Sequence, residues 1–301
     1  MYFCKIKVLI DNVSLPMVER ALSWQNNHRG RILFLLSLPL IVYAWSWGSE
    51  KYQAEFGINE ECPIYKVVPR NQDDTLRVLV IGDSWAEYHM TLECDTIFCR
   101  FAKKYTSAPV KCFTRGHSGK ITKEIYNEMF TEHTVEHSWE RDHCLQPLIE
   151  QHPDYCVIMA GINDMRLCKP ESFYVGNYLL MLNLLVRNGI KPVVMEMPGV
   201  DLKYFHEKRR FYRRWMFDVV SLWTKIDYGS VQVYRDAMKR MLQETGMDKQ
   251  VLFIPVSSWN PGGIETNPEY YIDDRLHLNM NGYHVMDSCM AVEIVRDYQN
   301  K

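Results

Sequence analysis

Five apolar runs punctuate the chain after residue 75, and each gives way to small or polar residues. They are RVLVIGDS at 77–84, VKCFTRGHSG at 110–119, DYCVIMAGIND at 154–164, IKPVVMEMPG at 190–199 and VLFIPVSSW at 251–259. Unbroken apolar runs of this kind suit strands of a parallel sheet buried on both faces, and the second run is the most polar of the five. Segments with helical spacing lie between and after them, at 174–187, 231–245 and 281–298. Alternating strands and helices predict an α/β domain with a parallel five-stranded sheet covered on both sides. In such a sheet ligands bind beyond the carboxyl ends of the strands. The residues directly after the runs, Asp83, Ser84, Gly119, Asn163 and Asp164, are therefore expected around one crevice.

A sixth apolar run breaks this pattern. Residues 32–48, ILFLLSLPLIVYAWSWG, carry no charge, follow Arg29 and Arg31, and hold Trp45 and Trp47 near their end. Seventeen residues are at the lower limit for crossing a bilayer. Basic residues before the run and aromatics at its end predict a membrane anchor helix with the rest of the chain extracytoplasmic. The organisation expected is an N-terminal segment at 1–31, the anchor at 32–48, a polar connector at 49–75 and the domain at 76–301. The alternative is a core helix in a cytoplasmic protein, and Ala44 and Ser46 also allow a cleaved signal peptide.

Composition narrows the partners. Of 301 residues, 47% are apolar or aromatic and 24% charged, and the formal net charge is −2. That material builds a core but gives no field to hold nucleic acid. Of the nine cysteines, Cys4 precedes the anchor run and eight follow it, where an oxidising compartment would allow disulfides. No C-x-x-C pair exists, so no zinc ribbon is expected, and Cys156 in an apolar run reads as a core residue. Residues 203–225 are rich in Lys, Arg and aromatics and read as a solvated amphipathic helix rather than a cap on the crevice.

The chemistry that these residue types permit is acyl transfer. It needs a nucleophile, a base, a group that orients the base, and donors to the oxyanion. Ser84 stands where a strand run ends. Asp274 and His277 are three apart before the last helix, close enough for the carboxylate to fix the imidazole while its other nitrogen faces Ser84. The Ser84 N–H, the Gly119 N–H and the Asn163 amide are candidate oxyanion donors, glycine allowing close backbone approach. Neither a cofactor nor a metal is called for.

Four blocks carry a resemblance. Gly82-Asp83-Ser84 resembles the first block of the SGNH (GDSL-like) hydrolases, and 114–119, TRGHSG, looks like the second, whose final glycine donates to the oxyanion. Gly161-Ile162-Asn163-Asp164 matches the third and Asp274-x-x-His277 the last, where a following Gly-Tyr, here Gly282-Tyr283, is also typical. The blocks stand in the family's order between about residues 76 and 286. Two departures are Thr114, where Asn is usual, and Trp85, where Leu is frequent; the first leaves Gly116 as a rival to Gly119.

The resemblance implies a flavodoxin-like three-layer α/β/α fold and ester hydrolysis, plausible substrates being small-molecule or glycan esters, with O-acetyl groups on carbohydrate foremost. An O-acyltransferase, a lipid-directed esterase and an inactive binding module are the rival readings. Trp85, His117 and Asp164 are candidate substrate contacts. His133 and His137 fit an H-x-x-E-H zinc pattern, but the polar segment around them favours a surface helix. The G-x-S-x-G elbow is absent.

Overall fold

The computed structural model describes residues 37–41, 43, 74–129, 144–167, 169–211, 214, 215, 218 and 231–300. The chain divides into two compact units, Met1–Gln53 and Ala54–Lys301. In the first, the described residues are helical. Among the described residues no helix is long and apolar enough to cross a membrane. Most of the expected anchor, the segment before it, nearly all of the connector and the His133–His137 pattern lie outside the described residues.

The second unit is built on five parallel strands: β1 Leu76–Gly82, β2 Val110–Gly116, β3 Tyr155–Met159, β4 Lys191–Met195 and β5 Leu252–Ile254. Their order across the sheet is β2-β1-β3-β4-β5. This is the flavodoxin-like order, and it reverses direction between β1 and β3, where such folds open their ligand crevice. The apolar runs explain the burial: 78–81 and 155–158 have no exposed surface. β2 is an edge strand and its middle is only half buried, which accounts for its more polar sequence. β5 keeps three residues, because Pro255 follows directly and lacks the N–H a ladder needs.

The helices are α1 Ser84–Thr91, α2 Cys94–Ala102, α3 Thr122–Glu128, α4 Gln146–Ile149, α5 Ile162–Arg166, α6 Glu171–Arg187, α7 Leu202–Glu207, α8 Val231–Thr245 and α9 Met280–Gln299. They fall into two packed groups, α1 with α2 and α9, and α6 with α3 and α8. Right-handed crossovers require this split, because the path β1 to β2 and the path β2 to β5 run in opposite directions across the sheet. The expected helix at 174–187 begins earlier, at Glu171, with Pro170 at its N-cap fixing the extended entry. Cys94, Cys99, Cys112, Cys144, Cys156 and Cys289 are free thiols.

Candidate functional site

Ser84 is the first residue of α1, immediately beyond β1. Asp83 caps that helix by accepting from the Trp85 N–H at 3.0 Å. As the first helical residue, Ser84 has a backbone N–H with no intrahelical acceptor. The Tyr283 hydroxyl donates to the Trp85 carbonyl at 2.7 Å and ties α9 to this turn. Gly282 is required there, since a Cβ would stand 2.5 Å from the Tyr270 carbonyl oxygen.

The loop 271–279 brings the far end of the sequence to Ser84. Asp274 Oδ1 accepts from the backbone N–H groups of Leu276 and His277 at 2.9 and 3.0 Å. Its Oδ2 lies 2.6 Å from His277 Nδ1, and His277 Nε2 lies 2.8 Å from Ser84 Oγ. The carboxylate only accepts, so Nδ1 carries the hydrogen and Nε2 presents a lone pair to the serine hydroxyl. Burial raises the Asp274 pKa, but bonds from the His277 ring and from two backbone N–H groups outweigh it, so the carboxyl sits below its ordinary value. Tyr88, one helical turn past Ser84, stacks on the His277 ring with centroids 4.7 Å apart.

The turn holding Asp274 and His277 is itself braced. Arg275 has φ +58°, the left-handed region that costs a non-glycine residue about 1 kcal/mol. It donates to Asp201 at 3.1 Å, its guanidinium covers the Tyr204 ring at 4.2 Å, and its carbonyl accepts from the Asp201 N–H. The start of the basic-aromatic segment, α7, thus buttresses this loop. Further on, Phe211 and Trp215 are exposed rather than packed inward as an amphipathic helix would have them.

The expected oxyanion donors come from two further strand ends. Asn163 is 4% exposed. Its Nδ2 donates to the Lys120 carbonyl at 3.0 Å, and its Oδ1 accepts from Arg166 Nε at 2.9 Å. A carbonyl cannot donate and a guanidinium cannot accept, so the amide orientation is fixed, with a second Nδ2 hydrogen left over. Gly119 has φ +84°, and a Cβ added there would meet nothing within 4 Å. Gly116, the rival, is closed off: its Cβ would stand 2.0 Å from the Glu87 nitrogen. Gly116 therefore lets α1 pack on β2, while Gly119 faces open space.

The side chains of the three candidate substrate contacts are engaged within the fold. Trp85 is buried in the core and lines a cavity with Met159, Met195, Met197 and Trp259. The Asp164 carboxylate is fully buried and accepts from Thr122 Oγ1 at 2.6 Å and from the Thr122 N–H at 3.0 Å, pinning the start of α3. The His117 ring lies against Glu128, with Nδ1 2.8 Å from Oε2. Spacing brought these residues to the right strand ends, but packing decided where their side chains point. Burial pushes both Asp83 and Asp164 up to about 7, against the pull of the N–H groups they accept from.

Tyr88 is a neighbour of the site that the sequence reading does not single out, although it stands four residues after Ser84 on a helix. Thr114, the departure from the second block, lies 3.0 Å from His89 Nδ1, and His89 Nε2 lies 2.9 Å from Asp287 on α9. His89, Cys94 and Asp287 are also the group whose ligand atoms, within 4.8 Å of one another, come nearest to a metal-binding set among the described residues. Through the direct His89–Asp287 contact the trio forms a buried link among α1, α2 and α9.

Comparison with known proteins places the chain in a family. The model of the GDSL-like lipase/acylhydrolase family matches residues 80–285. No curated protein matches the chain. Solved structures similar to it include a GDSL-like lipase from Bacteroides thetaiotaomicron, at 18% identity over 84% of this chain and 99% of that one, with a TM-score of 0.47. A lipase/acylhydrolase from Enterococcus faecalis is similar at 18% identity over 73% and 96% of the two chains, with a TM-score of 0.48. An acetyl xylan esterase from Geobacillus stearothermophilus is similar at 18% identity over 72% and 94%, with a TM-score of 0.43.

Proposed function

This chain belongs to the GDSL-like lipase/acylhydrolase family, and from that premise we propose that it is a serine esterase working through Ser84, His277 and Asp274. The observation that carries the proposal is the unbroken chain Asp274 Oδ2, His277 Nδ1, His277 Nε2, Ser84 Oγ, with links of 2.6 and 2.8 Å. His277 Nε2 takes the Ser84 proton as Oγ attacks the ester carbonyl. The resulting imidazolium is stabilised by Asp274. The oxyanion is held by the Ser84 and Gly119 N–H groups and the remaining Asn163 Nδ2 hydrogen. Collapse expels the alcohol, which receives the proton from His277 and leaves an acyl-serine. Water, deprotonated by the same imidazole, then attacks the acyl-serine and releases the acid.

Among substrates we put O-acetyl esters of carbohydrate first, ahead of lipid esters. The charge-free run at 32–48, with its flanking arginines and tryptophans, supports a membrane anchor and an extracytoplasmic catalytic domain; membrane fractionation of the full chain tests this separately. For the activity, hydrolysis of p-nitrophenyl acetate is compared between wild type and Ser84→Ala. A rate confined to wild type is expected. Equal rates in the two refute the proposal, and transfer of the acetyl group to a sugar in preference to water would make the protein an acyltransferase.

A further inference from the structure

We propose that Glu128 is a positioning residue that holds the Gly119 loop in the shape an oxyanion requires; the inference rests on the esterase reading above. Gly119 sits at the summit of the loop between β2 and α3, and no atom lies where its side chain would be. The Lys120 N–H donates to the His117 carbonyl at 3.4 Å and closes the turn around Gly119, so the place of Gly119 follows those two flanking residues. The Glu128 carboxylate reaches across to both flanks. Its Oε2 lies 2.8 Å from His117 Nδ1 on the approach to Gly119, and its Oε1 pairs with Lys120 Nζ at 3.3 Å on the departure.

The two flanks are also joined to the rest of the site. The His117 N–H donates to the Gly82 carbonyl at 3.1 Å, two residues before Ser84. The Lys120 carbonyl accepts from Asn163, the residue beside the Asp164 that pins Thr122. A force that spreads His117 from Lys120 would therefore move the Gly119 N–H relative to both other donors. Glu128 opposes that spreading. The side chains of Glu128 and His117 are about nine-tenths buried, where a charged contact is screened little by water. Placing such a charge under a loop is costly unless its partners are well fixed. Helix α3 fixes this one, with Glu124 accepting from the Ile121 N–H at 2.9 Å at one end and Glu128 at the other. Glu128 touches no reacting atom in this scheme.

The test uses the full chain and p-nitrophenyl acetate. Glu128→Gln keeps the shape of the side chain and removes its charge. Donors misplaced by a fraction of an ångström cost rate rather than binding, so kcat is expected to fall about tenfold with KM within about twofold of wild type. Glu128→Asp, which keeps the charge on a shorter arm, is expected to recover part of the loss. A folded Glu128→Gln with wild-type kcat, or with its loss confined to KM, overturns the inference. If that variant does not fold, Lys120→Met, which cuts one arm at a partly exposed residue, decides: a drop in kcat of about threefold at constant KM supports the clamp, and an unchanged kcat refutes it. A wild-type protein without esterase activity instead overturns the esterase reading, and this inference with it, whereas an active wild type isolates the question to Glu128.

Discussion

Replacement of Asn163 by alanine separates transition-state stabilisation from everything else the site does. The Asn163 amide makes two internal bonds, to the Lys120 carbonyl and from Arg166 Nε, and has one further Nδ2 hydrogen, which the proposal assigns to the developing oxyanion. Removing a single donor of this type costs about 2.7–4 kcal/mol of transition-state stabilisation, or about 10²–10³ in kcat. The carbonyl of the ground-state ester gains less from the same donor, so KM should move by no more than about threefold. The lost bond to Lys120 adds about 1 kcal/mol of destabilisation, read by urea unfolding. Steady-state kinetics on p-nitrophenyl acetate, beside an unfolding curve for the same variant, measures both quantities. A folded Asn163→Ala enzyme with kcat within about threefold of wild type would refute the assignment of this amide to the oxyanion.

Asp274→Asn should keep the loop shape but present the wrong tautomer of His277 to Ser84, with kcat falling on the order of 10³–10⁴-fold; a loss under about tenfold would show that the carboxylate does not orient the base. Because the Asp274 pKa lies below its ordinary value when folded, its contribution to stability is present above that ordinary value and disappears as pH drops through the lower folded one. Urea titrations of wild type and Asp274→Asn should thus converge only under strongly acidic conditions. Asp83 behaves in the opposite sense. With a folded pKa of about 7 against 3.8 unfolded, the folded chain keeps a proton the unfolded chain has released, so stability falls as pH rises through that window. Asp83→Asn should lessen this slope in unfolding curves taken between pH 4.5 and 7.5, Asp164 still contributing to it, and an unchanged slope would contradict the burial argument. Gly116→Ala should destabilise the fold by about 1–3 kcal/mol, because its methyl group meets the α1 backbone, and a thermal melt equal to wild type would refute that packing.

The strand runs made the parallel sheet legible in the sequence, and the four blocks singled out Ser84, Asp274 and His277, which the structure brings into contact. These are features of order and period, and period fixes which residues reach one end of a parallel sheet. Side-chain direction was less legible. Asp164 stands next to Asn163 and reads equally well as a substrate contact, yet the Thr122 hydroxyl and N–H claim its carboxylate. Trp85 follows the nucleophile directly, but the first turn of α1 directs its ring into the core while Ser84 faces His277. Glu128 gave no signal at all, because it meets His117 and Lys120 only after α3 has folded back beneath the loop. The close approach at Gly116 was likewise not legible, because it depends on the α1 backbone that occupies the space beside it.

The most direct test of the central claim is the site of covalent capture. The protein is incubated with a fluorophosphonate at neutral pH, digested, and its peptides are sequenced by mass spectrometry. One adduct is expected, on Ser84, and it should form far more slowly in His277→Ala, which lacks the base 2.8 Å from that hydroxyl. An unlabelled Ser84 in a folded protein, or labelling as fast without His277 as with it, would contradict the account.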